Sequence, residues 1–203
     1  MSISAHRLSE SRLELIPATA ALVRAEMECG RPFFHMLGVQ PVDGWPPVDT
    51  ADALPFFLEQ LQKGPEMEGW LAWYWVLTGK SGEESVLVGN GGFKGPPSSD
   101  GIVEVGYYVR PAHRGHGYGT EAVCCLLEHA LSRAGVKLVI AQTQHDNEAS
   151  VKLLEKVGFV CAGEGCEPGL LRFEIARSQA SDKHASAALM PLPARVAPPW
   201  LTP

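Results

Sequence analysis

No apolar stretch in this 203-residue sequence approaches the roughly 18 residues that a membrane-spanning helix needs, so no membrane partner is expected. Met1 to Arg12 has no apolar segment of the secretory kind, so it does not read as an export signal. Lys and Arg nowhere gather into a stripe that could track phosphates, and the net charge is −6; nucleic acid is not an expected partner. Cysteine is scarce and unpatterned. Cys29, Cys124, Cys125, Cys161 and Cys166 are odd in number and lack C-x-x-C spacing. They read as reduced thiols of a cytoplasmic protein, although Cys161 and Cys166 could meet across a bend. His113 and His116 stand three apart, but no Cys or carboxylate completes a set with them, so no metal is expected. No internal repeat is visible.

What is present is an ordinary globular composition, 45% hydrophobic and 20% charged. Arg12–Ile16 alternates enough for a first strand, ended by Pro17, and Thr19 caps a short helix that stops at Gly30. Residues 31–50 set Pro32, Pro41, Pro46 and Pro47 among Phe33, Phe34, Met36 and Trp45. This reads as a proline-punctuated loop that either packs on the core or lines a site. Asp52 and Pro55 open a helix with Leu54, Phe57, Leu58 and Leu61 as its apolar stripe. Trp70–Leu77, Val86–Phe93 and Ile102–Val109 follow as three strands of an antiparallel meander, the first two joined by a turn at 78–82.

The period then changes. Val123, Leu126, Leu127, Ala130, Leu131 and Ala134 recur at helical spacing, with Gly135 as the stop. Val136–Gln142 is a short strand, and Asn147–Val157 a helix with Glu148/Lys152 as a surface pair and Gly158 as its end. Phe159–Gly163 and Leu170–Ala176 complete the strands. A helical crossover between residues 102 and 142 requires the strands it joins to run parallel. Residues 1–177 therefore read as one mixed α/β (α+β) domain of about seven strands and four helices. Residues 178–203 turn to Ala, Ser and Pro and read as a tail with little structure of its own.

Chemistry concentrates in Glu104-Val-Gly-Tyr-Tyr-Val-Arg-Pro-Ala-His-Arg-Gly-His-Gly-Tyr-Gly119, where a strand runs into a glycine-rich turn that opens a helix. Gly115, Gly117 and Gly119 let the backbone fold tightly, so several N–H groups can converge on one anion at a helix N-terminus. A pyrophosphate suits that cradle. Gly119 is followed by Thr120-Glu121, so the lysine of a P-loop is missing, and residue 120 is not the third glycine of a dinucleotide fingerprint. The spacing present is R-x-x-G-x-G, from Arg114 through Gly117 to Gly119.

That string resembles the acetyl-CoA-binding motif of the GNAT superfamily of N-acetyltransferases. Asn147-Glu-Ala-Ser150, followed by a helix ending at Gly158-Phe159, resembles the family's second motif, and the order of elements matches over about residues 10–176. Within the superfamily the chain is most similar to the branch of ribosomal-protein N-terminal acetyltransferases. The resemblance implies a mostly antiparallel central sheet with helices on both faces. It implies that the backbone at Tyr108 and Val109 holds the pantetheine arm. It also implies that the amides of Arg114, Gly115, His116, Gly117, Tyr118, Gly119 and Thr120 hold the pyrophosphate. Asn147 would contact pantetheine, and Ser150 would sit near the CoA sulfur. Many relatives place a tyrosine one helical turn after this Asn as acid for the thiolate; here Leu154 stands there, leaving Ser150 or bound water as the donor.

The implied reaction moves an acetyl group from acetyl-CoA onto a primary amine. It needs a base for the amine, and Glu104, on the strand entering the motif, is the candidate; an N–H near Val109 would stabilise the oxyanion. The alternative is a non-catalytic acyl-CoA-binding module. Tyr107 and Tyr108 read as strand formers whose side chains pack. The acceptor stays open between a protein N-terminus and a small amine, with its contacts expected from loops such as 31–50 and 95–101. Oligomeric state stays open too, a homodimer included.

Overall fold

The computed structural model describes residues 8–9, 12–28, 30–79 and 84–178. The N-terminal segment before Leu8, Cys29, most of the turn at 78–82, and the tail beyond Ser178 lie outside the described residues. One sheet organises the rest: β1 (Leu8–Ser9), β2 (Leu13–Pro17), β3 (Ala72–Leu77), β4 (Val86–Phe93), β5 (Ile102–Val109), β6 (Leu138–Gln144), β7 (Val160–Glu164) and β8 (Leu170–Ala176). Their order is β1-β2-β3-β4-β5-β6-β8-β7. The eighth strand relative to expectation is the two-residue β1 at the edge. Every pairing is antiparallel except β5 with β6, which a helical crossover makes parallel.

Strand alternation feeds two cores. Leu13, Leu15, Trp73, Trp75, Val103, Val105, Val139 and Ala141 face one side, covered by α4 (Tyr118–Leu131) and α5 (Glu148–Val157). Ile16, Ala72, Tyr74, Val76 and Leu87 face the other, covered by α1 (Ala20–Met27), α2 (Arg31–Leu37) and α3 (Val48–Leu61). Side chains of successive strand residues point to opposite faces, so each run serves both layers.

The caps read from sequence are in place. Thr19 Oγ1 accepts from the Leu22 N–H at 3.2 Å, Asn147 Oδ1 from the Ser150 N–H at 3.2 Å, and Gly158 ends α5 at φ 114°. Lys152 pairs with Glu148 at 2.8 Å.

Several boundaries differ from expectation. Residues 31–50 are not all loop: Arg31–Leu37 is a helix, begun by Pro32 in its first turn and stopped by Gly38 at φ 68°, and it buries Phe33, Phe34 and Leu37. Of the prolines that marked a loop, Pro32 and Pro47 stand at helix starts, while Pro41 and Pro46 lie in the irregular segment between α2 and α3. Helix α3 begins at Val48, a turn before Asp52, and Pro55 lies inside it on the exposed side. Helix α4 ends at Leu131 with Ser132 as its cap, short of Gly135. Trp70 and Val136 precede their strands rather than beginning them, because each turns into the core before pairing starts. Cys161 and Cys166 are free thiols.

Candidate functional site

The site grows from the place where two strands part. β5 and β6 pair only from Ile102↔Leu138 to Val105↔Ala141. Beyond that, Gly106–Val109 keeps its register with β4 while Gln142–Gln144 keeps its register with β8. The backbone of Gly106–Val109 thus presents one unpaired edge to the gap, and unpaired N–H and C=O groups seek an extended partner. Tyr108 and Val109 lie on that edge. One strand away, an extra residue at Val88 breaks the β3–β4 register between Trp75 and Val76, a bulge that adds local twist.

At the end of β5 the chain makes a single 3-10 turn, Pro111–His113, and then the cradle. Gly115 (φ 78°) and Gly117 (φ 83°) are left-handed, a conformation costly for residues with a Cβ. Gly117 is the N-cap of α4 and no side chain caps the helix. The first N–H groups of a helix lack intrahelical partners, so those of Tyr118, Gly119 and Thr120 point outward at the positive end of the dipole. Gly119 serves packing instead: a Cβ there would lie 2.7 Å from Leu153 Cδ1 and 3.2 Å from Val109 Cγ2. Arg114 folds back, its Nε donating to the Val109 carbonyl at 3.1 Å, which ties the cradle to the open edge. His116 Nδ1 meets the Arg114 carbonyl oxygen at 2.8 Å, and its ring stacks on Tyr118. His113 has its pKa lowered, first by burial and then by the charges of Arg110 and His116.

Arg12 is a member of this cluster that the sequence did not suggest. Its Nε and Nη2 donate to Glu121 Oε2 at 2.8 and 2.5 Å, its Nη1 to the His116 carbonyl at 3.2 Å, and its guanidinium lies 4.9 Å from the Tyr118 ring centroid. It neutralises a carboxylate in the first turn of α4, which would otherwise repel an incoming anion. The partners are 109 residues apart, so no local motif encodes the pair.

Across the gap, α5 brings Asn147 and Ser150. The Ser150 hydroxyl is 2.8 Å from the Tyr107 hydroxyl. Burial raises the Tyr107 pKa, and the Ser150 hydrogen bond offsets only part of that, so this phenol stays protonated at neutral pH. Tyr107 was read as a packing residue. Its position two after Val105, on the face that α5 covers, is the signal that places it beside the second motif. Leu154 is fully buried in the core, where a hydroxyl would have no role in the gap.

Glu104 sits on the opposite face. Its Oε1 meets Lys94 Nζ at 2.5 Å and accepts from Gln142 Nε2 at 3.1 Å, while Oε2 meets no donor among the described residues. On the same face, two and four residues along β5, are Gly106 and Tyr108, which line a cavity of about 630 Å³. Its walls come from α3 (Thr50, Ala53, Phe56, Phe57), β3 (Ala72), β4 (Asn90 to Phe93) with Lys94 just after it, and β5. Of the segments expected to form such walls, 31–50 gives it Pro47 and Thr50, and 95–101 gives it none of the described residues. No set of three His, Cys, Asp or Glu among the described residues is placed to hold a metal ion. No helix there is long and apolar enough to cross a membrane.

The geometry is thus a backbone anion cradle, an open strand edge, a hydroxyl pair on one face and a carboxylate beside a cavity on the other. Residues 12–160 match the sequence profile described as the acetyltransferase (GNAT) domain. The chain belongs to that family, the acyl-CoA-dependent N-acyltransferases. It is 34% identical over 160 residues to an uncharacterized N-acetyltransferase of Bacillus subtilis, YjdG, covering 79% of this chain and 93% of that one. Among solved structures it resembles spermidine N-acetyltransferase from Vibrio cholerae in complex with CoA and spermine, with a TM-score of 0.59 and 16% identity over 85% of this chain and 99% of that one. It also resembles ribosomal-protein-S5-alanine acetyltransferase from Vibrio fischeri, with a TM-score of 0.56 and 16% identity over 84% and 96%. At such identities these two likenesses describe the fold.

Proposed function

We propose that this acetyltransferase takes acetyl-CoA as donor, holds it across the gap between β5 and β6, and receives its amine from the cavity on the α3 side. The observation that carries this reading is the open edge of Gly106–Val109, which joins the cradle at one end and borders the cavity at the other. Bound acetyl-CoA supplies the thioester carbonyl; the amine nitrogen bonds to its carbon while the C–S bond breaks. The backbone N–H groups of residues 114–120 hold the pyrophosphate, Asn147 offers its amide nitrogen to the pantetheine arm, and an N–H near Val109 faces the developing oxyanion. Glu104, on the amine's side of the sheet, accepts the proton that the nitrogen loses, directly or through water. Ser150, on the thiolate's side and backed by the Tyr107 hydroxyl, gives the sulfur a proton. Base and acid therefore stand on opposite faces of β5, one toward the amine and one toward the sulfur.

The CoA complex of the spermidine acetyltransferase neighbour supports the donor. Acetyl-CoA is expected to raise the melting temperature by mass action, whereas ATP and NAD at equal concentration leave it unchanged. Free thiol release in the presence of an amine and peptide panel then measures transfer. A melting shift with no thiol release above background for any acceptor would favour the non-catalytic acyl-CoA-binding alternative.

A further inference from the structure

The cavity beside Glu104 has a chemical character of its own. Pro47, Ala53, Phe56 and Phe57 make its outer wall, with the two phenyl rings 6.0 Å apart. Phe56 is 47% exposed, an unusual placement for a ring unless something apolar covers it. Among the described residues, the ionisable side chains lining the cavity are Lys94, whose ammonium is engaged by Glu104, and the two tyrosines of β5. No carboxylate among the described residues lines it. One amide enters this apolar space. Asn90 is 5% exposed, its Nδ2 donates to Thr50 Oγ1 at 3.1 Å, and its Oδ1 meets no donor among the described residues. A carbonyl oxygen left with spare acceptor capacity among phenyl rings suits a single N–H donor.

We infer that the acceptor is a small primary amine carrying one nitrogen on an apolar, ring-sized body, with Asn90 Oδ1 accepting from its N–H and Phe56 and Phe57 covering the body. The inference rests on the acetyl-transfer reading of the same site. A polyamine or aminoglycoside would bring several ammonium groups into a space where, among the described residues, the one adjacent carboxylate is Glu104, already paired with Lys94, and charges buried without partners are strongly disfavoured. A volume of about 630 Å³ accommodates a small molecule of this size. Asn90 is a specificity residue in this arrangement: it selects which end of the amine enters, and Glu104 lies beyond it along the sheet.

The experiment compares kcat/KM, read as free thiol, for phenethylamine and 3-methylbutylamine against putrescine, spermidine and phenylalanine. The apolar monoamines are expected to exceed spermidine and putrescine by at least about tenfold, the scale on which apolar pockets discriminate. Ala53→Trp, which fills the cavity from a helix position, is expected to lower kcat/KM for phenethylamine by more than about tenfold while the acetyl-CoA melting shift persists. Phe56→Asp, at an exposed position, places a carboxylate at the mouth and is expected to narrow or invert the preference against putrescine. A wild-type preference for spermidine overturns the inference and leaves acetyl transfer standing, as does a preference for phenylalanine over phenethylamine or an Ala53→Trp enzyme with unchanged kinetics. Thiol release with none of the amines, despite a melting shift with acetyl-CoA, overturns both together.

Discussion

On the function proposed for it, the two faces of β5 recognise by different means. On the α4 and α5 face, recognition is done by backbone: glycines at φ 78° and 83°, an uncapped helix start and an unpaired strand edge, with side chains such as Arg12 and Arg114 holding the backbone in place. On the α3 face, recognition is done by side chains on regular elements: two phenyl rings and one amide, with a carboxylate held by a lysine beside them. A backbone site needs particular conformations at fixed intervals, so its glycines are confined to a short, ordered string. A side-chain cavity needs only volume and polarity, which many residue sets supply from scattered positions. The first kind therefore constrains a short run of sequence, and the second constrains no single stretch of it.

That division can be broken most forcefully at the chemistry between the faces. Glu104→Gln is expected to lower kcat by about a hundredfold, with acetyl-CoA affinity retained and part of the rate recovered as pH rises and more amine is neutral. A pH–rate profile checks both, and near-normal turnover at neutral pH would return Glu104 to the role of a partner for Lys94. Next in size is Gly117→Val. A β-branched residue at φ 83° is strained, and its Cβ would stand 3.5 Å from Arg12 Nη2. Acetyl-CoA affinity by calorimetry should fall about tenfold or more with the circular-dichroism spectrum intact; an unchanged dissociation constant would mean the cradle is not where the pyrophosphate lies.

Smaller again is Tyr107→Phe. It removes one hydroxyl from the pair with Ser150 and should reduce kcat by several-fold, less than Ser150→Ala, without altering KM for acetyl-CoA. Equal values for wild type and both variants would assign thiolate protonation to water. Glu26→Gln should leave turnover untouched, yet change stability. Glu26 is 1% exposed, accepts from Tyr74 Oη at 2.5 Å and Trp45 Nε1 at 2.7 Å, and burial pushes its pKa up from 4.5 to about 7. A carboxyl with a raised folded-state pKa stabilises fully below its unfolded value and loses that contribution as pH climbs through the folded one. The wild-type melting temperature should therefore fall between pH 4.5 and about 7, and the decline should flatten in Glu26→Gln. Parallel melting curves for the two proteins would show that Glu26 does not set the trend.

Much of the fold was legible because its signals are local. Thr19, Asn147 and Gly158 each act within a few residues, and alternation in Trp73–Val76 follows from the pleat. The cradle was legible for the same reason. Helix α2 was not, since seven residues give too little period to outweigh the prolines around them. The cavity was not, because Ala53, Asn90 and Gly106 converge from three elements and none is unusual in its own neighbourhood. Tyr107 lay between these cases: its face followed from alternation, but its partner on α5 did not.

The Arg12–Glu121 pair has a consequence for the order of folding. Its two ends are 109 residues apart, and bringing them together requires β2 to be seated against β3 and α4 to be packed on the sheet. Closing so long a loop costs chain entropy that only already-formed contacts can offset, so such contacts arise late. The turn it braces is the one assigned to the pyrophosphate. Refolding protein should accordingly regain helical signal before it regains affinity for acetyl-CoA, and the nascent chain would bind its donor only once its first full strand and its fourth helix have met.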